Sequence, residues 1–189
     1  WKIFRYASHS NDNNFHELFS ESNKSVEKAH EMPLVMAAKI VTDSRTRRPL
    51  VSFAAIDTIQ RKFFISQFLD DLQFSTLGEV MIALNVKECL FLKRDCVEEK
   101  MDILQNEMEY AKVKTIFTEK KSEFEMVYGI TCLQTLIQSK FLSQALREAS
   151  EHKEYLQCIG AISGYLNLLQ DIKNHEFFTL HVHRLDSYM

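Results

Sequence analysis

The chain has 189 residues, 23 Lys and Arg against 26 Asp and Glu for a formal charge of -3, and an apolar share of 46%. That balance excludes a domain that grips duplex DNA by itself, because phosphate neutralisation needs a basic excess, while the apolar share suffices for one sizeable core. With 4 glycines and 2 prolines, a loop-built or disulfide-framed fold gives way to well-filled helices and strands.

Residues 1–33 are polar and mixed. Trp1, Phe4 and Tyr6 lead into a short helical pattern at Phe15, Leu18 and Phe19, and Ser20–Pro33 is charged and apolar-poor. This reads as a tail and linker, with the domain proper running from Leu34 to Met189. The opening at Trp1, without an initiator methionine, reads as the interior of a larger protein.

From Leu34 the hydrophobic period alternates. Leu34–Val41 has strand length, Asp43–Pro49 is a polar turn-rich loop, and Val51–Asp57 and Lys62–Leu69 are further strands spaced for antiparallel hairpins. Thr76-Leu77-Gly78-Glu79 then reads as a capping box opening a helix whose stripe is Leu77, Val80, Met81 and Leu84. Val86–Leu92 is a buried strand. Asp95 caps a second helix with the stripe Val97, Met101, Leu104 and Met108, and Val113–Thr118 is the fifth strand. Ser122-x-x-Glu125 opens a helical region that breaks once before Ser150. A long helix carrying Leu156, Ile159, Leu166 and Leu169 follows, and Phe178, Leu180 and Val182 alternate with Thr179, His181 and His183 in a half-exposed last strand. Three consecutive strands followed by β-α-β crossovers predict an α/β fold: a mixed sheet with helices on both faces, in the ribonuclease H-like order.

Chemistry-bearing patterns are sparse. Neither G-x-x-x-x-G-K-[ST] nor G-x-G-x-x-G occurs, which removes those routes to a bound nucleotide. A ribonuclease H-like nuclease is the alternative reading, and it needs carboxylates converging from strand centres to clamp two metal ions. Asp43 is displaced into a loop, Asp57 ends a strand and Glu88 lies in the fourth, so no convergent set is expected. His181-x-His183 lacks a third ligand for zinc. Cys89, Cys96, Cys132 and Cys158 form no Cys-x-x-Cys pair and sit in or beside apolar stretches, as free buried thiols of a reducing compartment do. No run of 18 apolar residues suggests a membrane span. The remaining candidate is basic: Arg45, Arg47 and Arg48, extended by Arg61 and Lys62 if the hairpins stack side by side, as a contact for phosphate or an acidic partner.

Asp57-Thr58-Ile59-Gln60-Arg61-Lys62 resembles a hexapeptide of the eukaryotic MutS homologue 2 family of mismatch-repair proteins. Further matches follow in order. Trp1, Ala7-Ser8-x-x-Asn11, Phe15 and Leu18-Phe19 look like the segment leaving that family's mismatch-binding domain. Gln73-Phe74-Ser75-x-Leu77 looks like the start of its first connector helix, Val86-Lys87-Glu88-Cys89 like the next strand, and Tyr188-Met189 like the connector's end. Glycines usual in the family's first strand are replaced around Met36-Ala37-Ala38, and residues 120–150 match poorly.

The resemblance implies a non-catalytic connector domain that joins the mismatch-binding domain to levers and ATPase and offers surface to MutL-type partners. It implies a nuclear parent protein that pairs with a second MutS homologue subunit and binds mismatched duplex DNA. That parent would use ATP and magnesium, and neither cofactor's site would lie in this chain. On the same footing Ile59 packs inward, Gln60, Arg61 and Lys62 stand at the hairpin turn as possible contacts, and Cys89 is a core position.

Overall fold

Every residue from Val51 to Asp57 is buried, on both faces of its strand. A strand without a polar face must lie inside a sheet covered from both sides, and the rest of the chain supplies that cover. The structure, a computed structural model, describes residues 33–93 and 98–184. Within them six strands form one mixed sheet: β1 (Leu34–Thr42), β2 (Pro49–Asp57), β3 (Lys62–Leu69), β4 (Val86–Leu92), β5 (Lys114–Thr118) and β6 (Thr179–Arg184). Their order is β5-β4-β1-β2-β3-β6. β2 pairs antiparallel with β1 and β3, and the remaining pairings are parallel, so β2 alone runs against the other five.

Five α-helices among the described residues follow the expected positions: α1 (Ser75–Ala83), α2 (Glu98–Tyr110), α3 (Met126–Leu136), α4 (Ser139–Ala149) and α5 (Lys153–Tyr165). Strand alternation divides the side chains between two cores. Leu34, Met36, Val51, Phe53, Ala55, Phe64, Cys89 and Phe91 pack with Leu77, Val80 and Met81 of α1 and Leu104 and Met108 of α2. Ala37, Ala54, Ile56, Phe63, Ile65 and Leu90 pack with α3, α4 and α5 on the opposite face. Between β1 and β4 the register slips, Leu34 facing Val86 but Val35 facing Glu88, which leaves Lys87 as an extra residue turned to solvent.

Three local expectations are corrected, and the expected break before Ser150 falls at Ile137. The first helix begins at Ser75, and its N-cap, Phe74, is left-handed and makes no side-chain cap; the capping box is replaced by acceptors from further upstream, described below. The region after Ser122 opens with a 3-10 turn at Lys121–Phe124 before α3 begins at Met126. It breaks at Ile137, which leaves the helix to bridge to Phe178. The last helix ends at Tyr165, since Asn167 turns left-handed at φ 52 and Leu169 falls in a 3-10 turn. The tail over residues 1–32, the Asp95 cap, Cys96 and Val97 lie outside the described residues.

α3 and α5 approach at their glycines. A methyl group on Gly129 would overlap the Leu156 carbonyl, and one on Gly160 would come within 2.6 Å of the Glu123 carbonyl oxygen. Neither obstacle is a flexible side chain. Gly129→Ala should therefore cost about 3 kcal/mol or more through forced separation of the helices, read as a drop in the urea midpoint. An unshifted midpoint would show the helices free to part. Cys89, fully buried between sheet and α1, gives a second test. Cys89→Arg places an unpaired charge in that core and should cost about 3–5 kcal/mol; melting within a degree or two of the parent would contradict this packing.

Candidate interaction surface

Both sheet faces are covered by helices, and the candidate residues lie in the loops at the strand ends. Two of them hold the six candidate residues. The β1–β2 turn presents Arg45, Arg47 and Arg48, all exposed. Asp43 organises it: its carboxylate accepts from the Thr46 backbone N–H at 2.8 Å and from the Thr46 hydroxyl at 2.6 Å. Its backbone closes the turn, the Asp43 N–H donating to the Arg48 carbonyl at 2.9 Å and the Arg47 N–H to the Asp43 carbonyl at 2.8 Å. These bonds, and Arg45 nearby, hold the Asp43 carboxyl below its usual range, the Thr46 hydroxyl contributing most. Arg47 takes a left-handed φ of 58°. Arg48 is tied down, its Nε donating to the Asp70 carbonyl at 3.0 Å.

The β2–β3 turn is built differently. The Asp57 carboxylate accepts the N–H groups of Ile59 and Gln60 at 2.9 and 2.8 Å, an Asx-type turn. Ile59 stands at the tip, 62% exposed, not packed inward as the family resemblance implied. Arg61 is engaged inside the fold. Its guanidinium donates to the Lys173 carbonyl at 3.0 Å and lies 4.7 Å from the Phe177 ring centroid, and its own carbonyl accepts from Thr179 N–H at 3.0 Å. It thereby staples the hairpin to the start of β6. Lys62 is half-buried and Gln60 exposed.

The two turns flank β2, a strand of 9 residues, so they lie at opposite ends of the sheet, roughly 25–30 Å apart at the usual rise per residue. Arg61 and Lys62 therefore do not extend the Arg45–Arg48 cluster. The hairpins share a strand instead of stacking side by side.

The carboxylates weighed for metal chemistry are each committed to structure. Asp43 and Asp57 close turns. Glu88 accepts from Lys114 Nζ at 2.9 Å and from the Tyr165 hydroxyl at 2.8 Å, which ties β4 to β5 and α5 and holds its carboxyl below the usual range, Lys114 contributing most. Among the described residues no group of three or more His, Cys, Asp or Glu could hold a metal ion. His181 accepts or donates at Thr179 Oγ1, 3.2 Å away, and burial followed by the nearby Lys62 charge lowers its pKa. Burial also pushes the thiols of Cys132 and Cys158 up, to about 11 and about 12, which leaves them protonated and inert.

Asp70 was invisible as a functional residue in the sequence. It is fully buried, and its carboxylate accepts the N–H groups of Asp71, Thr76 and Leu77 at 2.8, 3.0 and 3.0 Å. Asp71 accepts those of Gln73 and Ser75 at 2.9 and 3.1 Å. Together they satisfy the open N-terminus of α1 from outside the helix. No S/T-x-x-E pattern signals this, because the acceptors lie upstream of the helix.

A family model described as MutS domain II matches residues 34–177. The chain is 24% identical to the DNA mismatch repair protein MSH2 of Zea mays over 191 residues, and 24% identical to that of Arabidopsis thaliana over 190. Each comparison covers 100% of this chain and 19% of the relative, so the chain spans about a fifth of the length of these curated relatives.

Asp70 yields a signed test. Burial pushes its carboxyl above the ordinary aspartate value, against the opposing pull of the Asp71, Leu77 and Thr76 N–H groups. Glu107 of α2 is raised as well, by burial and then by the negative charges of Asp71, Asp70 and Glu79. A raised carboxyl binds its proton more tightly folded than unfolded, so its contribution to stability falls as pH rises through the folded value. The stability of the parent relative to Asp70→Asn should thus increase as pH falls from neutral toward the aspartate range, in paired urea titrations. A relative stability that decreases on acidification would mean the N–H groups outweigh burial. Asp70→Ala, which strands three donors, should cost about 2–4 kcal/mol at neutral pH.

Proposed function

The chain belongs to the MutS domain II family, and from that membership we propose that it is the non-catalytic connector of a nuclear DNA mismatch-repair ATPase. It links a mismatch-binding domain, whose last segment residues 1–33 would supply, to levers and ATPase, and it recruits MutL-type proteins. The observation that carries this reading is the family match over residues 34–177, a span that includes five of the six strands and all five described helices. The strand order β5-β4-β1-β2-β3, with β2 alone reversed, supports a ribonuclease H-like assignment, β6 being added outside β3. Carboxylates committed to turns and ties support the non-catalytic part. ATP, magnesium, mismatched duplex DNA and a second MutS homologue subunit belong, on this reading, to other domains of the parent protein. No helix among the described residues is long and apolar enough to cross a membrane.

The reading has two arms of test. Purified chain titrated with a MutL-type protein should bind it saturably; no binding in either buffer or crowded conditions would overturn the recruiting role. Titrated with fluorescent matched and mismatched duplexes at ~0.15 M salt, the same chain should bind more weakly than the ~10⁻⁴–10⁻⁶ M of ordinary non-specific binders, without telling the duplexes apart. Sub-micromolar, mismatch-selective binding would make this a DNA-reading domain instead of a connector.

A further inference from the structure

The strand directions bring the chain in at one end of the sheet. The Leu34 N–H donates to the Asn85 carbonyl at 3.2 Å, and Val35 faces Ile56 across β1 and β2, so Pro33 enters beside the Asp57–Arg61 turn. α1 and α2 finish at this end, just before β4 and β5 begin, and the loop before β6 joins it where the Thr179 N–H meets the Arg61 carbonyl. Apolar exposure is concentrated here. Of nine exposed large apolar side chains among the described residues, six stand at this end: Ile59, Ile82, Tyr110, Phe141, Ile172 and Phe177. Four of them are linked through Arg61 and Gln138. The Arg61 guanidinium lies over the Phe177 ring and donates to the carbonyl of Lys173, next to Ile172, while Ile59 stands on the same turn. The Gln138 side chain donates to the Phe177 carbonyl at 3.4 Å, and its backbone carbonyl accepts the Phe141 N–H at 2.8 Å.

We propose that this apolar end is the docking site of the chain's own preceding segment, seated through Phe15, Leu18 and Phe19. Those residues repeat at i, i+3 and i+4, a spacing that can gather three apolar side chains on one side. Residues 20–32 separate them from Pro33 and can extend to about 45 Å, whereas β6 lies three strand spacings from β1, about 15 Å. The stripe therefore reaches the patch with chain to spare. Charge around Arg61 is close to balanced, Arg61, Lys62, Lys140 and Lys173 against Asp57, Asp171 and Glu176, which favours an apolar occupant over a charged one. Being part of the same chain, the segment meets the patch at an effective concentration that a free partner would have to exceed. Held at Pro33 and again at the patch, it passes a movement upstream on to the sheet instead of swivelling about Pro33. The docking is a property of this chain alone and stands apart from the connector reading.

Hydrogen–deuterium exchange on the full 189-residue chain tests it. Phe15→Ser/Leu18→Ser/Phe19→Ser should speed exchange at residues 172–177 by about tenfold or more. Ile59→Ser/Ile172→Ser, at exposed positions outside both cores, should speed exchange at residues 15–19 to a similar degree. Leu72→Ser, at the other end of the sheet, should change neither. Circular-dichroism melts that match the parent's show that the variants fold alike. Equal exchange in the parent and in both multiple variants overturns the docking. So does protection of residues 172–177 that grows with protein concentration, which would give the face to a second copy. Protection that arises only when a MutL-type protein is added also overturns it, and leaves the connector reading intact.

Discussion

Everything in this chain follows from a β2 strand that has no polar face. Because Val51 through Asp57 are buried on both sides, helices must cover both, and α1 with α2 take one face while α3, α4 and α5 take the other. A sheet covered in this way presents its own backbone to solvent only at its edges and at the turns of its two ends. Those ends are unlike. At one, Arg61 is drawn into the fold to hold the hairpin against β6. At the other, the closed Asp43–Arg48 turn is held to the Asp70–Gln73 loop by the Arg48 bond to the Asp70 carbonyl.

The acidic residues serve local structure, and among the described residues no group of three or more His, Cys, Asp or Glu could hold a metal ion. Two-metal catalysis requires carboxylates that are short of other partners and aimed at one point. Here Asp43, Asp57, Asp70 and Asp71 each satisfy backbone N–H groups that would otherwise be stranded at a turn or helix start, and Glu88 answers Lys114 and Tyr165. Freeing any of them for a metal would cost the local structure that positions it.

Much of the architecture was legible in the residues. Near-continuous apolar runs marked the first three strands, since their side chains face two covered sides. The stripe Leu77, Val80, Met81 and Leu84 gave α1 its buried face. Cys89 is a core residue as its neighbours Leu90 and Phe91 suggested. The unexpected features have two causes: a partner far along the chain, or an acceptor a few residues upstream that hydrophobic periodicity does not read. Asp70 caps a helix it does not belong to, Ile137 leaves its helix to meet Phe178, and Arg61 answers Lys173. Ile59 stays outside because Asp57 has already fixed the turn around it. The separation of the two basic turns is different, since connectivity alone requires it: turns on either side of one strand lie at its opposite ends.

Hydrogen–deuterium exchange of the purified chain probes most directly whether the doubly covered β2 strand holds the fold together. The amides of β2, with those of β1 and β3 that pair with it, should exchange last, through global opening alone. Exchange of the β2 amides as fast as those of the exposed Asp43–Arg48 turn would contradict this account.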